Sequence, residues 1–179
     1  MPHPYVSFDP AAQVNGETLQ ALSVAFHVKE AASLLLQKHG LPSQPENGEW
    51  YPMQAWLDLL AELEKSYGAH TVYAVGLQVI TSSKWPQHIS SLSEALYALD
   101  EACRINIQGS AIGYYQIQEI APREMRVVCL TPTPPDFECG IITGLARRFK
   151  PFGSLRVQID KETPSGDAHP LLKWFRVRW

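Results

Sequence analysis

Apolar residues along this chain of 179 residues recur first at helical spacing and then, past Gly109, at a spacing of two. From Gly16 to His39, Leu19, Leu22 and Phe26 share one stripe, with Val24, Val28, Ala31 and Leu35 beside it. Recurrence at three and four residues marks an amphipathic helix. Asn15 is placed to cap its start, and Gly40 supplies a left-handed stop. Pro52 suits the first turn of a second helix, in which Met53, Trp56, Leu60, Leu63 and Tyr67 repeat until Gly68. The stretch 70–81 carries conflicting signals. Val72, Val75, Val79 and Ile80 are β-branched and favour a strand, yet their spacing predicts a helix. Ser91 and Glu94 form a capping-box pattern ahead of Leu92, Leu96, Leu99 and Cys103 on one face.

After Gly109 the alternation predicts strands over 111–120 and 125–131, joined by a turn at Ala121-Pro122-Arg123-Glu124. Three prolines make 131–135 irregular. Thr133-Pro134-Pro135-Asp136 then opens a helix whose buried stripe is Phe137, Ile141, Leu145 and Phe149. Leu155, Val157 and Ile159 alternate with polar residues, as do Phe175, Val177 and Trp179. Such strands belong to antiparallel sheets with one wet face. The reading is an α+β fold: about four N-terminal helices packed on a four-stranded antiparallel sheet with a β-β-α-β-β C-terminal half. Residues 1–15 read as an irregular arm, and 16–179 as a single domain.

Net charge is -3, which gives no global pull toward nucleic acid. Residues 1–110 hold 5 Lys/Arg against 11 Asp/Glu, and 111–179 hold 10 against 7. Five Trp and seven Tyr leave material for a large core, a pocket or an interface. Cys103, Cys129 and Cys139 are odd in number and lack a CxxC pair. That argues against a disulfide framework or structural zinc and fits a cytoplasmic protein. Neither a signal peptide nor a membrane-spanning run is expected.

Trp50-Tyr51-Pro52, Gly76 in an apolar helix, Thr133-Pro134-Pro135-Asp136-Phe137 leading into the segment Gly140 to Phe149, and the ending Phe175-Arg176-Val177-Arg178-Trp179 carry a resemblance. Together they resemble bacterial 4-vinyl-reductase-like proteins, often labelled heme-NO-binding-like. The similarity runs from about residue 14 to the end, and its most specific stretch is 136–149. It implies a fold shared with ligand-binding sensor domains and with a vesicle-tethering transport-particle family, often dimeric. Members typically bind small molecules or act as scaffolds. Many relatives carry Cys where Pro135 stands and two more around Thr163 and Lys173. Heme-binding relatives use a proximal His and a Tyr-x-Ser-x-Arg motif. Neither those cysteines nor a Tyr-x-Ser-x-Arg motif is present here, so the expectation is no zinc, no heme and no other cofactor.

The candidate residues follow from these patterns. Trp50, Tyr51, Met53, Trp56 and Tyr73 either line an apolar cavity between helices and sheet or, as a stripe at helical spacing, belong to the core. Gly140 and Gly144, four apart, either open room for a ligand or permit tight packing of the helix on the sheet. Arg147 and Arg148 either bind an anion or complement a helix end. Cys139, early in a helix, is where the dipole can lower a thiol's pKa, though a nucleophile also needs a base among His27, His39, His70, His88 and His169. No triad or metal cluster assembles. The reading is therefore a non-catalytic binding or sensor domain, homodimeric, for a small apolar molecule. The alternatives are a pure protein-interaction module and an enzyme using Cys139 or a histidine.

Overall fold

The computed structural model describes residues 4–26, 28–166 and 168–179. Its elements follow in the order β1 (Gln13–Asn15), α1 (Gly16–Ala25), α2 (Lys29–Lys38), β2 (Trp50–Pro52), α3 (Met53–Tyr67), α4 (Ala69–Ser82), α5 (Leu92–Tyr97) and α6 (Leu99–Asn106). Next come β3 (Ile107–Gln108), β4 (Tyr114–Ala121), β5 (Glu124–Leu130), α7 (Pro135–Arg148), β6 (Gln158–Glu162) and β7 (Leu172–Arg178). Strands β4-β5-β7-β6 form an antiparallel sheet, and β2-β1-β3 a small second one. The architecture is the expected α+β, with the β-β-α-β-β half intact.

Local chemistry explains most boundaries. Asn15 Oδ1 accepts from the Thr18 amide at 3.0 Å, capping α1. Gly40 adopts φ 73° just beyond α2. Over 70–81 spacing prevails over propensity: Val72, Val75, Val79 and Ile80 are buried on one face of α4. The Ser91 hydroxyl accepts from the Glu94 amide at 3.2 Å, while Glu94 reaches back to the Ser90 amide at 2.8 Å.

Four expectations need correction. The single helix over Gly16–His39 is two helices, because Phe26 leaves helical geometry at ψ 121° and Val28 is also extended. Val24 and Val28 are 50% and 58% exposed while Leu35 beyond them is buried, so the stripe is interrupted at the join, and unburied valines do not hold a helix there. His27 lies outside the described residues. Within the stretch read as an irregular arm, Gln13–Asn15 is the central strand of the small sheet, and Tyr5 is buried with its hydroxyl donating to Glu64 at 2.8 Å. Trp50–Pro52 pairs with β1 instead of opening the helix, which begins at Met53. The strand expected from Leu155 starts at Gln158, since Gly153 turns the chain at φ 77° and Leu155 is exposed.

Helices α4 and α7 pack backbone to backbone. A methyl group on Gly76 would lie 2.1 Å from the Phe137 carbonyl oxygen, and one on Gly140 would lie 2.2 Å from the Tyr73 carbonyl oxygen. The outer face of the large sheet is an ion-pair ladder. Arg126 Nε donates to Glu162 at 2.6 Å, Arg176 bridges Glu162 and Glu124, and the Arg126 guanidinium lies 4.7 Å from the Trp174 ring centroid. Arg126, with help from Arg176, holds the Glu162 carboxyl below its ordinary 4.5. A depressed folded pKa means stability present above the ordinary value and lost as pH falls through the folded one. Glu162→Gln is therefore expected to unfold at lower urea than the parent at pH 7. The two curves should converge on acidification and in high salt.

Candidate functional site

Between the helical layer and the sheet lies a pocket with a free volume of about 60 Å³. Met53 and Trp56 of α3, Val79 of α4, Leu99, Ala102 and Cys103 of α6, and Phe137 and Ile141 of α7 make its apolar walls. The rings of Trp56 and Phe137 meet edge to face at 6.1 Å.

Two polar clusters border it. At one end Asn106 is fully satisfied: its Oδ1 accepts from Asn15 Nδ2 at 2.8 Å and from the Lys84 amide at 3.0 Å, and its Nδ2 donates to the Lys84 and Ala102 carbonyls at 2.7 Å each. Thr18 and Ser83 extend this cluster through a 2.9 Å contact between their hydroxyls. At the other end Glu138, fully buried, accepts from Tyr115 at 2.6 Å, from Thr131 at 2.7 Å and from Thr133. Acceptance on both oxygens is the pattern of a carboxylate. Behind it Lys173, also buried, donates to the Thr131 and Thr133 carbonyls at 2.7 and 2.9 Å. Burial pushes the Lys173 ammonium below its ordinary value, and Glu138 opposes that shift. Burial, with the charge of Glu138 added, pushes the Cys103 thiol up to about 12 and raises Tyr115 and Cys129 as well. These groups stay protonated near neutrality.

Of the candidates for lining the cavity, the structure brings Met53 and Trp56 to it. Trp50, Tyr51 and Tyr73 lie elsewhere. The Tyr51 hydroxyl accepts from the Glu46 amide at 3.1 Å, and Tyr73 sits where α4 meets α7. Gly140 and Gly144 face α4, so they serve close helix-on-helix packing instead of opening room for a ligand or packing on the sheet. Arg148 donates to the Ile80 carbonyl at 3.0 Å, satisfying one of the free carbonyls at the end of α4, and stacks on Phe149. Arg147 is exposed beside the same α4–α7 groove. The Cys139 thiol is raised, not lowered, because burial outweighs the helix end. Its electrostatic neighbours among the described residues are Lys161, Asp136 and Thr143, with no imidazole.

Glu138, Tyr115, Lys173 and Trp85 are the site residues that sequence reasoning missed. The signals were present. Glu138 precedes Ile142 by four and so falls on the apolar face of α7, and Lys173 precedes Phe175 by two and so falls on the inner face of β7.

No family model and no curated protein matches the chain by sequence. Solved structures do. One, from work on modulating heme redox potential through protein-induced porphyrin distortion, superposes with a TM-score of 0.68 at 14% identity, over 92% of this chain and 97% of that one. An oxygen-binding H-NOX domain related to soluble guanylate cyclases, in its oxygen complex, gives 0.66 at 16% identity, over 91% of each chain. A third, from work probing the function of heme distortion in the H-NOX family, gives 0.65 at 18%, over 91% and 90%. The chain has the heme-NO-binding-like fold. It is alike to these structures in backbone and remote from them in sequence.

These neighbours overturn the expectation of a fold without a cofactor, because heme is named with the first of them. A missing Tyr-x-Ser-x-Arg motif is not enough to set heme aside. The fit itself rests on the residues present. Heme requires an axial ligand, charge partners for its propionates, and room. Among the described residues, the pocket lining offers the sulfurs of Cys103 and Met53 but no imidazole and neither Lys nor Arg. Its volume of about 60 Å³ is far below the roughly 300–1,000 Å³ of drug- or cofactor-sized sites. The lining as it stands does not fit a porphyrin.

Proposed function

We propose that this protein is a ligand-binding sensor domain that takes a small, largely apolar molecule into the pocket between helices and sheet. The observation that carries the reading is the pocket itself, whose walls come from α3, α4, α6 and α7 and which abuts two satisfied polar clusters. A ligand there touches the helical layer and the sheet side together, so differential affinity for two arrangements of those layers would transmit its presence. The free thiols of Cys103, Cys129 and Cys139 fit a reducing, cytoplasmic setting. No helix among the described residues is long and apolar enough to cross a membrane. The 4-vinyl-reductase-like part of the resemblance rests on the sequence motifs alone.

The test is thermal unfolding with a small hydrocarbon, 2-methyl-1-butene, and separately with hemin. The hydrocarbon should raise the midpoint saturably, by the equivalent of about 2.7 kcal/mol at a hundred times its Kd. Ala102→Leu, which fills the pocket from α6, should abolish the rise. If neither the hydrocarbon nor its ketone isostere 2-butanone has any effect the reading is overturned, and a Soret band developing with hemin would replace the small ligand with a porphyrin.

A second reading adds a partner surface. Val24, Val28, Leu34 and Tyr67 are 50 to 67% exposed on the α1–α2–α3 side, and we propose that a second copy of the chain covers them. Light scattering at micromolar concentration tests this: a dimer that Leu34→Glu dissociates supports it, and a monomer removes it.

A further inference from the structure

The polar groups around the pocket are engaged with one another, with one marked exception. The Thr131, Thr133 and Tyr115 hydroxyls donate to Glu138, Asn106 uses all four of its hydrogen-bonding positions, and Thr18 and Ser83 hold each other. Trp85 lines the same pocket, and its indole Nε1–H is buried with no partner. A buried strong donor left unpaired is unfavourable and rare in folded proteins. Deepening the pocket reading, we propose that the ligand is a short neutral carbonyl compound (a ketone, aldehyde or ester of a few carbons) whose oxygen accepts the Trp85 indole N–H.

Three features narrow the class. An indole offers a donor only, so the ligand must present an acceptor. The described lining residues include no Lys or Arg and do include Glu138, so an anionic acceptor such as a carboxylate would meet a like charge and no cation in the lining. The free volume of about 60 Å³ is smaller than the ~150 Å³ cavity known to take up benzene, which limits the ligand to a few heavy atoms. The remaining walls are apolar and suit short alkyl arms.

The probes are 2-butanone and its isostere 2-methyl-1-butene, which replaces the oxygen by a methylene group. Binding to the full chain is followed through the Trp85 indole N–H resonance and through thermal shift. The ketone should move that resonance downfield as a hydrogen bond forms, and the alkene should not. Trp85→Phe should weaken ketone binding about five-fold, in line with one net hydrogen bond, while alkene binding changes little and reports that the variant is folded. Equal weakening of both probes, or an indole resonance that responds alike to both, would overturn the carbonyl assignment and leave the pocket reading standing. If neither probe binds the parent protein, both fall. If Trp85→Phe does not fold, the indole resonance of the parent decides alone.

Discussion

Gly76→Ala is expected to destabilise the protein by about 3 kcal/mol or more, at the upper end of what overpacking does. The added methyl would stand 2.1 Å from the Phe137 carbonyl oxygen and 2.9 Å from its carbonyl carbon. Both are backbone atoms inside α7, so no rotamer change can relieve the clash. The contact is reciprocal, since a methyl on Gly140 meets the Tyr73 carbonyl oxygen at 2.2 Å and the Leu77 amide nitrogen at 2.8 Å. Relief requires α4 and α7 to separate, which would pull Phe137 away from Trp56 and open the pocket wall. The measurement is urea unfolding, in which the midpoint should drop sharply for Gly76→Ala. Gly68→Ala is the control: it has open space around it, so only the strain of its φ 86°, ψ 170° backbone applies, a region nearly confined to glycine that costs other residues on the order of 1–3 kcal/mol. An unchanged midpoint for Gly76→Ala would mean that the two helices do not touch as described.

Much of this architecture was legible because local signals and packing agree. The spacing of Val72, Val75, Val79 and Ile80 placed α4 correctly against their strand propensity, since one buried face organises a helix more strongly than side-chain branching opposes it. The turn at 121–124 and the inward set Phe175 and Val177 followed from period two. What failed depended on contacts far apart in sequence. The break at Phe26 reflects the absence of a neighbour for Val24 and Val28, which no local pattern records. The small sheet joins Gln13 to Pro52 and to Gln108, and three-residue strands carry no periodicity of their own. In the site, Met53 and Trp56 lie at the pocket and Trp50, Tyr51 and Tyr73 lie outside its lining, because an aromatic residue near a pocket in sequence can face away from it. Glu138 and Lys173 were hidden for a simpler reason: charged residues are ordinarily assigned to the surface, and only their register on α7 and β7 places them inside.

That buried pair gives the other large expected effect. Glu138→Ala should cost about 3–5 kcal/mol, the range for removing one member of a buried charge pair. It would leave the Lys173 ammonium without its opposing charge and deprive the Tyr115, Thr131 and Thr133 hydroxyls of their shared carboxylate acceptor. Glu138→Gln should cost less, because the amide oxygen still accepts from Thr131 and Thr133 while the charge and the acceptor for Tyr115 are lost. The Lys173 ammonium already lies below its ordinary 10.5, through burial, with Glu138 holding it up. A lysine with a depressed folded pKa binds fewer protons folded than unfolded, so stability rises with pH between the folded value and 10.5. Removing the charge of Glu138 widens that window, so Glu138→Gln should regain stability on alkalinisation more steeply than the parent does. Adding Lys173→Met to Glu138→Gln should recover much of the loss at neutral pH, because the buried ammonium is then gone. Urea midpoints across pH for the parent, Glu138→Gln, Lys173→Met and the double variant give the coupling directly. Additive losses, with no alkaline recovery in Glu138→Gln, would show that the two charges do not sense each other and that Glu138 is held by its hydroxyl donors alone.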